Sequence, residues 1–152
     1  MVPARGLCDT ITGKYEVMHV LRNIFGNIGK KKPDVVSVII DREGAFLKVG
    51  LYMNNRRRAR IQCVIESDAV IMIGDIIHGR ERGYSKGYGS MMMEKLITYA
   101  KENDYEYIYG NLAVGDLNHK ERLHHFYHKF GFNVAEYAEP QDTYFGKIEL
   151  RL

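Results

Sequence analysis

The sequence predicts an α/β (α+β) fold in which a mixed central sheet of about six to seven strands is flanked by about three helices. Two observations predict it. Four runs rich in β-branched residues follow one another with links of only a few residues, and a strand, helix, strand, helix order comes after them. Short links require antiparallel neighbours, whereas a strand–helix–strand crossover implies parallel strands. The 152 residues suit a single domain, spanning residues 1–152, with one buried core.

The first predicted element is an amphipathic helix over residues 15–28, which ends at Gly29 before a lysine run and Pro33. Its apolar residues follow helical spacing: Val17, Val20, Leu21, Ile24, Phe25 and Ile28. Strands are then predicted over residues 35–41, 46–53, 60–66 and 69–78, separated by turn residues at 41–44, 54–55 and 67–68. These four strands should form an antiparallel meander.

After Gly89 the apolar spacing becomes helical and ends near residues 103–104, and a strand follows over residues 107–114. Another helix runs through Leu123 and Phe130, with Asn118 and Glu121 as N-terminal capping signals and Gly131 at its end. Two last strands are predicted over residues 133–138 and 143–150.

A glycine-bearing turn precedes the first of these two helices and has the features of a phosphate-binding site. Gly87 and Gly89 let a ligand approach the main chain, and the following helix presents unpaired N–H groups and its positive dipole end. The turn follows the strand over 69–78, at the sheet edge where open α/β folds bind ligands. A dinucleotide-binding loop would require a third glycine near Met92, and a P-loop would require Gly-Lys-Ser/Thr. The turn therefore predicts a phosphorylated cofactor of another kind.

Together with the run Phe-Tyr-His-Lys-Phe-Gly-Phe at 126–132, this turn resembles the GNAT superfamily of N-acetyltransferases, over residues 69–132. In that family a loop of pattern Arg/Gln-x-x-Gly-x-Gly/Ala holds the pyrophosphate of acetyl-coenzyme A. Here a tyrosine stands in the Arg/Gln slot, and Lys86 or Arg82 would add charge. The resemblance implies a cofactor loop made of Tyr84, Ser85, Lys86, Gly87, Tyr88, Gly89 and Ser90.

The second motif looks like the family's Tyr-x-Lys-x-Gly-Phe helix end, which places Tyr127 on the family's tyrosine. The family's asparagine usually lies seven residues before that tyrosine. Asn118 is the candidate here, although it lies nine residues before Tyr127, so two residues are inserted.

The resemblance implies direct transfer of an acetyl group from acetyl-coenzyme A to an amine acceptor, with no metal. A backbone N–H near Ile76, Ile77 or His78 would hold the thioester carbonyl, because in this family the strand before the loop splays from its neighbour. Tyr127 is the candidate acid for the departing thiolate, although its helical position alone favours core packing. Asp75 and His78 are both candidates for the base, acting directly or through water.

Family members usually place helices between their first and second strands. Here only residues 41–45 separate the strands taken as the first and second. Either the predicted N-terminal helix substitutes for the missing pair, or the first strand has been misassigned. The acceptor stays open among a small amine, an aminoglycoside, a protein N-terminus and a lysine.

Two alternatives come from other features. A non-catalytic acyl-CoA-binding or scaffold protein of the same fold is one. A small basic nucleic-acid-binding module is the other, prompted by Arg56, Arg57, Arg58 and Arg60 with the lysines at 30–32. A net charge of +3 without interleaved aromatic residues makes nucleic acid an improbable partner.

The remaining features bear on location and metals. His124 and His128 have helical i, i+4 spacing but no identifiable third ligand, so no metal site is predicted. Cys8 and Cys63 lie far apart, which favours a reducing cytoplasm. No leader pattern and no apolar run of about 20 residues is present, so neither secretion nor membrane insertion is expected. A homodimer formed through the last strands is compatible with the predicted order.

Overall fold

The computed structural model describes residues 15–20, 34–79 and 87–152. Its elements are β1 (Tyr15–Val20), β2 (Val35–Glu43), β3 (Phe46–Met53), β4 (Arg56–Ser67), β5 (Val70–His78), α1 (Tyr88–Glu102), β6 (Tyr107–Ala113), a 3-10 helix (Val114–His119), α2 (Lys120–Lys129), β7 (Asn133–Gln141) and β8 (Tyr144–Arg151). Within these ranges eight strands form one sheet, in the order β1-β2-β3-β4-β5-β6-β8-β7.

The sheet is mixed, as the sequence predicts. Strands β2 to β5 form an antiparallel meander, and β5 pairs with β6 in parallel across the α1 crossover. The β3–β4 hairpin turns at Asn54 and Asn55, whose φ angles of 50° and 64° are those of the tight turns that match strand twist. Asn54 also accepts a hydrogen bond from the Val35 N–H, at 3.0 Å, so the turn is tied to the start of β2.

The predicted helix over residues 15–28 is wrong where the structure describes it. Residues 15–20 form β1, which pairs antiparallel with β2 from Tyr15 opposite Ile40 to Val20 opposite Val35. Val17 and Val20 fit helical spacing, but β-branched residues also favour strands, and pairing with β2 decides between the two. The rest of that prediction, residues 21–28, lies outside the described residues. The segment between the first and second strands is therefore 21–34 rather than 41–45, so the first strand had been misassigned.

The described ranges contain two α-helices rather than about three. The capping signal at Asn118 is also wrong, because residues 114–119 form a 3-10 helix and α2 begins at Lys120 with His119 as its cap. The end of α2 agrees with the prediction: Gly131 has a φ of 84° and its N–H donates to the His128 carbonyl. No helix within 15–20, 34–79 or 87–152 is long and apolar enough to cross a membrane.

The core lies between α1 and one face of the sheet, where alternate strand residues are buried. Helix α1 packs across β2, β3 and β4. Its residues Met92, Met93, Leu96 and Ala100 are completely buried and belong to the same core cluster as Val49 of β3. Two of the three consecutive methionines thus belong to the core, each contributing about 1.5–3 kcal/mol of burial. This packing fixes the start of α1 relative to the sheet.

Close approach of β7 and β8 depends on Gly146. A Cβ added at this residue would lie 2.5 Å from the Ala135 carbonyl oxygen, which is backbone and cannot rotate away. Gly146→Ala should therefore lower the free energy of unfolding by about 2 kcal/mol. Urea denaturation measures this, with Gly115→Ala as the control because a Cβ there would meet nothing within 4 Å. Equal stability of the two variants would contradict the packing described here.

Candidate functional site

Strands β5 and β6 pair only over their first halves. The parallel register joins residues 70–73 to residues 107–110, after which β5 continues to His78 and β6 to Ala113. At the same place β5 bulges against β4, because Gln62 lies opposite Asp75 and Cys63 lies opposite Ile73, which leaves Gly74 as the extra residue. Bulges bend a strand and interrupt its pairing. The sheet therefore opens between β5 and β6, as the resemblance implied.

A cavity of about 420 Å³ lies at this opening. Its walls come from β5, β6, β8, the start of α1, the 3-10 helix and α2. The cavity brings together eight of the residues predicted from the sequence: Asp75, Ile76, His78, Gly87, Tyr88, Gly89, Ser90 and Tyr127. Ile77 lies on β5 and Asn118 is exposed on the 3-10 helix, and neither lines the cavity. Tyr84, Ser85 and Lys86 lie outside the described residues.

No side chain forms a capping hydrogen bond at the N-terminus of α1. Gly87, with a φ of 77°, is the N-terminal cap, and no side chain caps the helix and no acidic residue lies in its first turn. The first turn of a helix has N–H groups without partners inside the helix, together with the positive end of its dipole. Lys129 of α2 adds a charge there, since its Nζ donates to the Ser90 hydroxyl at 3.1 Å. The arrangement suits an anion.

The side chain of Tyr127 is 6% exposed and packs edge-on against Phe126 and Phe132. Among the described residues its hydroxyl has no hydrogen-bond partner. Burial raises the pKa of Tyr127, and the carboxylates of Asp116 and Asp75 raise it further. The phenol therefore stays protonated at physiological pH, at the wall of the cavity.

His78 and Asp75 occupy different parts of β5. Asp75 follows the Gly74 bulge directly. The His78 ring lies near the start of α1, because its Cε1 would be 3.9 Å from a Cβ added at Gly89. Burial lowers the pKa of His78, Arg122 lowers it further, and Asp75 acts in the opposite direction. His78 is therefore a neutral imidazole at physiological pH.

Several residues that sequence reasoning missed also line the cavity. They are Asn111, Leu112 and Ala113 of β6, Asp116 and His119 of the 3-10 helix, and Arg122, Leu123 and Phe126 of α2. The signal that could have found Asp116 is its place just after a parallel strand, at the sheet edge where ligands bind. Lys129 was part of the quoted motif, but the sequence does not show that it reaches Ser90.

Two of the three histidines of α2, His124 and His128, lie against polar groups outside the helix. His124 Nε2 lies 3.3 Å from a Glu136 oxygen, and His128 Nδ1 lies 3.1 Å from the Phe132 carbonyl oxygen. These contacts join α2 to the chain around β7. Among the residues that the structure describes, no three His, Cys, Asp or Glu side chains are grouped to hold a metal ion.

Comparison with known proteins identifies the family. Residues 39–132, more than half of the chain, match the sequence model of the Acetyltransferase (GNAT) family. The chain belongs to the GNAT acetyltransferase family. This confirms the resemblance seen in the glycine turn and in the motif around Tyr127.

One curated relative and two solved structures are similar to the chain. The uncharacterized protein YocC of Bacillus subtilis (strain 168) is 35% identical over 82 residues, which are 54% of this chain but only 46% of YocC. A GNAT acetyltransferase from Elizabethkingia anophelis, solved with acetyl-CoA bound, gives a TM-score of 0.57 at 16% identity, covering 71% of this chain and 77% of that one. The N-acetyltransferase PseH of Campylobacter jejuni gives 0.53 at 14% identity, covering 72% and 70%. At these identities the two structures support the fold.

The left-handed backbone of Gly87 is a measurable constraint on the start of α1. A Cβ at this residue would meet nothing within 4 Å, so the cost of Gly87→Ala comes from its φ of 77° alone. We expect a loss of about 1 kcal/mol in the free energy of unfolding. Thermal unfolding beside Gly115→Ala, which has equal space and no left-handed φ, separates backbone strain from crowding. A Gly87→Ala protein as stable as that control would mean that Gly87 is not left-handed.

Proposed function

We propose that this protein is an N-acetyltransferase that transfers an acetyl group from acetyl-coenzyme A directly to an amine acceptor. The observation that carries the proposal is the opening between β5 and β6 beside the uncapped start of α1, in a chain of the GNAT family. An open sheet edge offers backbone hydrogen bonds, and the helix terminus offers an anion site. Acetyl-coenzyme A requires both.

The residues around the opening fit this donor. The unpaired N–H groups of Tyr88, Gly89 and Ser90 would bind its phosphates, with Gly87 keeping the backbone clear of a Cβ. Tyr84, Ser85 and Lys86 would complete the loop, as the resemblance implies. Main-chain groups of Ile76, Ile77 and His78, beyond the end of β5–β6 pairing, would bind the pantetheine arm and the thioester carbonyl.

Lys129 supplies a positive charge at the phosphate site, where this chain lacks the Arg or Gln of the family pattern. Tyr84 stands in the Arg/Gln slot of the loop, which removes a polar side chain from the phosphate site. The ammonium group of Lys129 lies at the positive end of α1, with no acidic residue in the first turn to offset it. A cation is unfavourable at a helix N-terminus unless an anion binds there. We infer that Lys129 contributes to phosphate binding.

Acetyl-coenzyme A supplies the acetyl group as a thioester, and the chain supplies the proton donor and acceptor. Tyr127 keeps its proton because burial raises its pKa, so its Oη can donate to the departing sulfur. Asp75 lies at the bulge where the strands separate and accepts the amine's proton, directly or through water. His78 lies nearer α1 and is not the base in this proposal. It is a neutral side chain beside the bound acetyl-coenzyme A.

The acceptor is a small-molecule or peptide amine, a class that agrees with the description of PseH as an N-acetyltransferase. The alternative is a non-catalytic acyl-CoA-binding protein of the same fold, and the activity test below distinguishes it from an acetyltransferase. The homodimer, the cytoplasmic location and the single-domain organisation stay predictions from the sequence.

Tyr127→Phe should lower kcat by about a hundredfold, because the proton donor is removed while ring packing is kept. Its affinity for acetyl-coenzyme A should change little. To measure kcat, a panel of primary amines is offered as acceptors and the free thiol of the released coenzyme A is detected with a thiol reagent. Calorimetry measures the affinity for acetyl-coenzyme A. In the same assay Asp75→Asn should lose far more kcat than His78→Gln.

Three outcomes would count against this assignment. Unchanged kcat in Tyr127→Phe removes the acid role. A larger loss in His78→Gln than in Asp75→Asn transfers the base role to His78. Acetyl-coenzyme A binding without turnover of any amine supports the non-catalytic alternative.

A further inference from the structure

Part of the cavity wall is apolar and buried. Ile73 of β5, Leu112 of β6 and Ile148 of β8 all line the cavity, yet they are only 5%, 3% and 1% exposed. Leu123 of α2 lines the cavity as well and packs against the same core cluster. Apolar side chains at a cavity wall bind an apolar part of a ligand, because water is released from both surfaces. This wall therefore suits an alkyl group.

The last paired row between β5 and β6 closes the wall. In that row Gly110 lies opposite Ile73 on one side and opposite Ile148 on the other. A Cβ added at Gly110 would lie 3.1 Å from the Ile73 carbonyl oxygen and 3.3 Å from the Ile148 Cδ1, both closer than ordinary van der Waals contact. Packing of this density leaves no space for a further methyl group. A group that enters the cavity therefore stops at these three residues, which we call the Gly110 row.

Leu112 is the apolar residue of β6 that lies beside the Gly110 row, where the opening begins. It is two residues beyond Gly110, so the two residues share one face of the strand. Its partner in the β8 register is Gly146. Neither glycine has a side chain that can move into the space if Leu112 is shortened, so a smaller residue leaves a larger cavity. The size of the cavity at this wall therefore depends on Leu112.

The proposed function brings the acyl group of the donor to this wall. In that proposal the thioester carbonyl binds main-chain groups of residues 76–78, and the sulfur lies beside Tyr127. Ile76, His78 and Tyr127 line the cavity, and β5 has already separated from β6 at these residues. The alkyl end of the acyl group is the part without a polar partner, so its burial against apolar side chains is favourable.

We infer that Leu112 sets the length of the acyl group that the protein accepts, and that the Gly110 row is the floor at which the acyl chain ends. An acetyl group places a single methyl group against this wall. Each further methylene has to displace Leu112 or separate the strands at the Gly110 row. This inference rests on the proposed function, because it concerns the donor selectivity of the same site.

A series of donors tests it. Acetyl-, propionyl-, butyryl- and hexanoyl-coenzyme A differ only in the number of methylenes, and calorimetry gives the affinity of the wild-type protein for each. We expect butyryl-coenzyme A to bind at least about tenfold more weakly than acetyl-coenzyme A, since one methylene in an apolar pocket changes recognition by about tenfold or more. Hexanoyl-coenzyme A should bind most weakly. With an amine acceptor, kcat/KM should follow the same order.

Variants identify the residue, and the quantity compared is the ratio of butyryl- to acetyl-coenzyme A affinity within one protein. Leu112→Ala should raise this ratio by about tenfold or more. Leu112→Val is a milder change that should raise the ratio of propionyl- to acetyl-coenzyme A affinity. Leu47→Ala is the matched control, because Leu47 of β3 is completely buried but does not line the cavity, so its ratio should equal the wild-type value. Circular dichroism checks that each variant is folded.

The outcomes that overturn the inference differ from those that overturn the proposed function. Equal affinity of the wild-type protein for acetyl- and hexanoyl-coenzyme A contradicts the floor at the Gly110 row. Unchanged ratios in both folded Leu112 variants, or the same rise in Leu47→Ala, contradict the assignment to Leu112. Failure of the wild-type protein to bind acetyl-coenzyme A contradicts the proposed function and the inference with it. Discrimination among the donors without turnover of any amine contradicts the proposed function alone.

Discussion

The bulge at Gly74 is the constraint on which the site depends. The bulge lies where β5 stops pairing with β6. The sheet therefore opens between these two strands, while β5 stays paired with β4 on its other side. Below the opening the two strands are held together tightly. A Cβ added at Gly110 would lie 3.1 Å from the Ile73 carbonyl oxygen and 3.3 Å from the Ile148 Cδ1. The closed half of the strand pair therefore fixes the position of the open half.

The helix that provides the anion site is positioned by the same core. Met92, Met93 and Leu96 are fully buried under the sheet, so the start of α1 cannot shift without disturbing that packing. Phe126 of α2 lies close to Gly89, where an added Cβ would approach its ring to 3.3 Å. The two helices that line the cavity, α1 and α2, thus meet at the glycine turn.

The sequence predicted the parts whose signals are local. Short turns between β-branched runs predicted the antiparallel meander, and the change of apolar period after Gly89 predicted α1 and the parallel crossover. Residues 15–20 were mistaken for a helix because Val17 and Val20 have helical spacing, whereas pairing with β2 makes the segment a strand. The 3-10 helix was missed because its six residues carry no periodic apolar pattern.

The site was predicted in part for the same reason. Gly87 and Tyr127 belong to motifs with fixed spacing, and the structure brings both to the cavity. Asp116 and Arg122 reach it, and Lys129 reaches Ser90, through tertiary packing of the 3-10 helix and α2, which no spacing rule describes.

The most direct measurement is a titration of acetyl-coenzyme A into nitrogen-labelled protein, followed by amide proton–nitrogen correlation spectra. Binding at the opening between β5 and β6 should cause the largest shift changes in the amides of β5 from Gly74 to His78 and in those of Gly87 to Ser90. The amides of Asn54 and Asn103, which do not line the cavity, should stay unchanged. Absence of binding, or shift changes that spare the opening between β5 and β6, would show that this opening is not the acetyl-coenzyme A site.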